Sequence, residues 1–191
     1  MKKDLKIWRD FRRGEQYALE HIYHAYADLL FRYGQKFTSD TNVVKDAIQD
    51  LFFDLIRTRS KLGDTNNICF YLMRALRRRI AIMQQKAQSP LVNEDWQLEA
   101  HIVYSIEDEL INKELLSERE KAIREALEKL QPRQREILYY RFTCNFDYNE
   151  ICDLMNLKYD SARKLVFRSL LSLKTIYNKT LVILFTILSF V

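Results

Sequence analysis

Glycine and proline are nearly missing from this chain of 191 residues: three Gly and two Pro, at Gly14, Gly34, Gly63, Pro90 and Pro132. An average protein uses about 12% of the pair. Hairpins and βα turns need them for positive φ and for fixed bends. A chain so poor in both is expected to be built from helices, and neither an all-β nor a doubly wound α/β architecture fits. The same sparse glycines exclude the G-x-G-x-x-G and G-x-x-x-x-G-K-[ST] phosphate loops. With 48% hydrophobic residues the chain can bury real cores, and its length allows one ordinary domain or two small ones.

Charge divides the chain into three. Residues 1–86 hold 17 Lys and Arg against 10 Asp and Glu, a net +7. Residues 87–117 hold 1 against 7, a net −6, and residues 118–191 hold 13 against 9, a net +4. Two basic blocks around an acidic one point to two modules that meet polyanions, joined by a linker that does not. We expect a first domain over 1–86, an acidic linker over 87–117, a second domain over 118–180 and an apolar tail over 181–191. Cys69, Cys144 and Cys152 include no C-x-x-C pair, so neither a disulfide framework nor a zinc site is expected. The charged opening has no apolar stretch behind it, unlike a secretory signal, and a cytoplasmic setting follows.

Both outer blocks carry helical periodicity. Ile22, Tyr23, Tyr26, Leu30, Tyr33 and Phe37 form one stripe, with Gly34 near the end of that helix. The next helix is expected to bury Ile48, Leu51, Phe52, Leu55 and Ile56. A loop over 62–67 precedes a helix over 68–86. Beyond the linker, Ile123, Ala126, Leu127 and Leu130 form a further stripe, and Pro132 suits the first turn of a helix carrying Ile137 and Leu138. The fold class is all-α, in two helical domains.

The sharpest pattern lies at 148–174. Asp147-Tyr148-Asn149-Glu150 reads as a capping box opening a short helix with Ile151, Leu154 and Met155 inward. Asn156-Leu157-Lys158 turns into a long amphipathic helix. This is the helix-turn-helix pattern, whose second helix enters the major groove. Ala162, Leu165, Val166, Ser169, Leu170 and Leu173 share its inner side. Asp160, Ser161, Arg163, Lys164, Phe167, Arg168 and Lys174 lie opposite. Arg reads guanine edges and Lys and Arg meet phosphates; the bland alternative is a solvated basic face. Phe167 and Leu171 among these cations also fit a protein contact.

Two faces of the first block invite the same weighing. Asp46, Gln49, Asp50 and Phe53 point outward together on the helix around 46–57. Carboxylates beside an exposed phenyl suit a basic protein surface with an apolar anchor, or form a plain acidic helix with one stray aromatic. On the helix 68–86, Arg74, Arg77, Arg78, Arg79 and Lys86 occur without an acid. Tyr71, Arg74, Arg78 and Gln85 share a strip beside the polar loop Asp64 to Asn67, an arrangement that can stack unpaired bases and hold a single strand. The alternative there is a solvated helix.

Taken in order, these segments resemble a bacterial RNA polymerase sigma factor of the extracytoplasmic-function type, within the sigma-70 family. The resemblance spans about 10–86 and 118–175. It is carried by Tyr23-His24-Ala25-Tyr26-Ala27-Asp28-Leu29-Leu30, Asp46-Ala47-Ile48-Gln49-Asp50-Leu51-Phe52 and Phe70-Tyr71-Leu72-Met73-Arg74-Ala75-Leu76-Arg77-Arg78-Arg79. In the second block it is carried by Leu130-Gln131-Pro132-Arg133-Gln134-Arg135-Glu136-Ile137, Tyr148-Asn149-Glu150-Ile151-Cys152 and Asp160-Ser161-Ala162-Arg163.

The resemblance implies that Asp46, Gln49, Asp50 and Phe53 dock on the clamp helices of core RNA polymerase. It implies that the loop and helix over 62–82 melt the minus-ten promoter element and capture a flipped base. Asp64, Asn66, Asn67, Tyr71, Arg74, Arg78 and Gln85 are the candidate contacts of that block. The helix-turn-helix would read the minus-thirty-five element through Lys158, Tyr159, Ser161, Arg163, Lys164, Phe167 and Arg168, and an anti-sigma protein is an implied partner. The sequence departs from the family at Arg78, where asparagine is usual, at Tyr71, commonly tryptophan, and at Lys158, usually Ser or Thr. Asp160 or Ser161 offers a cap for a slightly shifted helix instead.

No Ser/His/Asp or paired-carboxylate grouping stands out. His21, His24 and Glu20 share a helical face, but they read as a structural group rather than as metal ligands. No catalytic residue, metal, cofactor or small-molecule substrate is expected. The tail 181–191 is uncharged, and eleven helical residues reach only ~16 Å against ~30 Å of bilayer hydrocarbon. Packing against protein is therefore preferred to membrane contact. The competing reading is a stand-alone helix-turn-helix regulator, and a third is a membrane-proximal adaptor touching lipid headgroups.

Overall fold

The computed structural model describes residues 2–88 and 118–188, and the chain divides into two compact units, Met1–Leu98 and Glu99–Val191. All regular structure among the described residues is helical. The first unit comprises α1 (Lys2–Arg13), α2 (Gln16–Gly34), α3 (Thr41–Thr58), a 3-10 turn over Arg59–Lys61, and α4 (Ile68–Gln88). The second comprises α5 (Glu118–Glu128), α6 (Pro132–Leu138) running on into a π turn over Tyr139–Thr143, α7 (Tyr148–Met155) and α8 (Tyr159–Leu188). The expected linker 87–117 and tail 181–191 lie outside the described residues, apart from the helical backbone of 87–88 and 181–188.

Helix α1 was not anticipated by the apolar pattern. It is rich in Lys and Arg, yet it places Trp8 and Phe11 in the core and ends at Gly14, whose φ of 96° reverses the chain. Asp40 caps α3 by accepting from the backbone N–H of Asn42 at 2.9 Å and of Val43 at 3.4 Å, which satisfies donors a helix start leaves open. Ile22, Leu30, Tyr33, Leu51, Leu72, Met73, Leu76 and Ile80 fill the space between α2, α3 and α4.

Side chains placed inside by periodicity are not all buried. Val44 and Ala47 join Leu51, Phe52 and Leu55 on the inner face of α3, while Ile48 is half-buried and Ile56 is 39% exposed. Tyr23 of α2 is 49% exposed, its ring edge-on to Phe52 at 5.1 Å. In the second unit Ile123 and Leu170 also face outward. These residues sit at the margins of their stripes, where the width of the partner helix decides burial.

In the second unit α8 packs against α5, α6 and α7 in turn. Pro132 occupies the first position of α6, and the side chain of Gln134 accepts from the backbone N–H of Gln131 at 3.2 Å. The expected capping box of α7 is present. Asp147 accepts from Glu150 N at 2.8 Å, and Glu150 accepts from Asp147 N at 2.9 Å. Ile151, Leu154 and Met155 point inward.

Candidate nucleic-acid interface

The turn between α7 and α8 is fixed from several directions. Asn156 takes the left-handed conformation, φ 50° and ψ 55°, standing where glycine is the usual choice. Leu157 N donates to Cys152 O at 3.0 Å, and Arg133 reaches Met155 O at 3.4 Å. Arg141 holds Phe146 O at 2.9 Å and lies over the Tyr148 ring, which in turn meets Tyr159 edge-on at 5.5 Å. Helix α8 begins at Tyr159, with Lys158 O accepting from Ala162 N at 3.0 Å. Asp160 and Ser161 therefore lie in its first turn, and the shifted start they offered is not used. An acid there is favourable to the helix dipole.

The buried line of α8 is Ala162, Val166 and Ser169, whose hydroxyl donates to Leu165 O at 2.7 Å. Lys158, Tyr159, Ser161, Arg163, Lys164, Phe167 and Arg168 are all exposed. Tyr159 is partly engaged by Tyr148, whereas Phe167 and Leu171 stand in solvent among the cations.

In the first unit Asp46, Gln49, Asp50 and Phe53 are exposed on one face of α3, Phe53 to 65%. Ile56, one turn further on, extends the apolar end of that face, a neighbour hidden by its assignment to the core. The acidic edge is organised from α4. Arg79 pairs with Asp54 at 2.5 Å and approaches Asp50 at 3.7 Å, and Arg57 meets Asp54 at 2.8 Å. The hydrogen bond from Arg79 holds the Asp54 carboxyl below its usual range.

The arginines of α4 therefore divide. Arg79 ties α4 to α3, and Arg77 lies over the Phe37 ring at 5.5 Å, whereas Arg74 and Arg78 are exposed. Tyr71 is half-buried against Trp8, ring centroids 4.8 Å apart, and Gln85 is half-buried at the far end of the strip.

The loop before α4 spends most of its polar groups internally. Asp64 accepts from Arg9 at 2.7 and 3.0 Å and also from Arg12. The Arg9 hydrogen bond keeps the Asp64 carboxyl below its ordinary pKa. Asn67 caps α4 by accepting from Phe70 N at 3.0 Å, and Thr65 accepts from Asn67 N at 3.2 Å. Asn66 is left exposed at the loop tip. Arg9, Arg12 and Trp8 belong to this site and were missed, because nothing in local sequence links residues 52 to 55 positions apart. His21 and His24 lie exposed on α2, and no group of His, Cys, Asp or Glu suited to a metal occurs among the described residues.

Among the described residues the structure is all-helical, and in the second unit a capped short helix, a left-handed turn and a basic helix follow one another in the order of a helix-turn-helix. Residues 120–173 match the family model "Sigma-70, region 4". A chain of the structure of CnrH in complex with the cytosolic domain of CnrY is similar at TM-score 0.56 and 13% identity, over 92% of this chain and 97% of that one. A looser match, at TM-score 0.35 and 17% identity over 88% and 98%, is a chain of the RsbN–BldN complex. No curated protein sequence matches. The second unit thus matches sigma-70 region 4 over residues 120–173, and the chain shares the fold of the CnrH chain.

Proposed function

We propose that this protein is a sigma factor of the extracytoplasmic-function type in the sigma-70 family, which docks on core RNA polymerase through α3, opens the minus-ten element with the loop 62–67 and α4, and reads the minus-thirty-five element with α8. Asp46, Gln49, Asp50 and Phe53 make the polymerase contact, and Ile56 joins them as a second apolar anchor. Asn66, Tyr71, Arg74 and Arg78 face the melted strand, with Gln85 at the end of the same strip. Lys158, Ser161, Arg163, Lys164 and Arg168 face duplex DNA, flanked by Tyr159 and Phe167. Bond-making belongs to the polymerase, and this chain supplies recognition and strand capture. A protein inhibitor is a fitting second partner, since the CnrH structure is itself a complex with a protein domain. The site of action is the cytoplasm. No helix among the described residues is long and apolar enough to cross a membrane.

The observation that carries the reading is the exposed acidic and phenyl-bearing face of α3. A regulator acting alone on duplex DNA has no use for an unburied Phe53 between carboxylates that repel phosphate. Run-off transcription with purified core enzyme on genomic fragments, with and without the chain, tests the activity and yields its promoters. Phe53→Ala is the cleanest probe of the contact, because most of the Phe53 ring is exposed, whereas Asp50→Arg would also confront Arg79. Losing a central aromatic anchor costs about 2 kcal/mol, roughly 30-fold in affinity. Core polymerase retained by immobilised Phe53→Ala protein should fall accordingly, with duplex DNA binding unchanged. Equal retention by both proteins would favour the stand-alone regulator.

A further inference from the structure

Helix α1 grips the loop 62–67 at both ends. At the near end the Trp8 indole Nε1 donates to Gly63 O at 2.8 Å, and Arg9 and Arg12 close on the Asp64 carboxylate. At the far end Asp4 accepts from Ile68 N, the first residue of α4, at 3.3 Å. The Trp8 ring also packs on Phe11 and on Tyr71, the aromatic of the α4 strip. Four side chains of one helix thus fix the loop and the ring beside it, leaving Asn66 exposed at the tip.

The geometry points to α1 as a clasp that presets this loop for base capture, with Trp8, Arg9, Arg12 and Asp64 acting as positioning residues rather than DNA contacts. The inference rests on the strand-capture reading above. Ordering a free loop during binding consumes conformational entropy that a loop already held does not lose. A bare carboxylate at this place would repel the phosphates of an incoming strand, while two guanidinium groups closed on it remove that repulsion. Asp64, read from sequence as a strand contact, thereby becomes the clasp's anchor.

The test uses the full chain and a promoter recovered by run-off transcription, with the minus-ten strand as a labelled oligonucleotide bound by the core–sigma complex. Exposed charge pairs contribute modestly, so Asp64→Asn and the double variant Arg9→Gln/Arg12→Gln should each weaken strand binding ~3- to 10-fold. Combining all three should weaken it no further, and Asp64→Glu should recover most of the loss. Hydrogen exchange at the Thr65 and Asn67 amides, read without DNA, should quicken in the same variants. Tighter binding by Asp64→Asn, or independent losses that multiply in the triple variant, would make these residues direct strand contacts and overturn the clasp. Unchanged exchange would overturn it too. Absence of transcription from the unaltered chain would instead remove the strand-capture reading, a result separable from the exchange measurement.

Discussion

Asn156 illustrates how much one backbone angle can decide. At φ 50° it ends α7 and aims α8, in a region that costs most L-residues about 1–2 kcal/mol, with Asn, Asp and Gly as the exceptions. Asn156→Ala should therefore destabilise the protein by ~1 kcal/mol, while Asn156→Gly should be neutral or slightly stabilising. Urea midpoints of the three proteins measure this directly. The position of Asn156 in the turn was legible in the sequence, and so was the capping box at Asp147 and Glu150. The residues that clasp Asp64 were not. Arg9 and Arg12 read as solvated cations until the fold brings them to a carboxylate more than fifty residues away.

Among elements, the crossing of α2, α3 and α4 depends on Gly34. A Cβ built there would stand 2.5 Å from Val44 Cγ1 and 3.3 Å from Ile80 Cδ1, both in the core. Alanine is the better helix former, but overpacking a filled core typically costs ~1–3 kcal/mol. Gly34→Ala should lower stability by that amount. Val44→Ala in the same protein should return part of it, so that the two substitutions together cost less than their sum, as seen by denaturant unfolding. Periodicity located α2, α3 and α4 but judged their margins poorly. Ile56 and Tyr23 lie at the edges of apolar stripes, and a stripe alone does not say how far the facing helix reaches. Helix α1 escaped because its apolar residues, chiefly Trp8 and Phe11, are few among Lys and Arg.

At the largest scale, the proposed contacts fall on two compact units, so a change in one should leave the other's proposed partner untouched. Arg163 and Arg168 are exposed on α8, where each can neutralise a phosphate. Replacing both with Ala should weaken duplex promoter binding and reduce the slope of log affinity against log salt by about two, with core polymerase retention unchanged. Fluorescence anisotropy at several salt concentrations reads both effects. The helical class, the basic–acidic–basic order and the outward sets on α3 and α8 can be read along the chain, because each follows from local period and local charge. Which cations are committed to the protein itself emerges from the packing of the helices. Arg9, Arg12, Arg77 and Arg79 are engaged by groups distant in the chain, whereas Arg78, Arg163 and Arg168 stand in solvent. A charge meets its partner through space, and that distance is set by packing rather than by position along the chain.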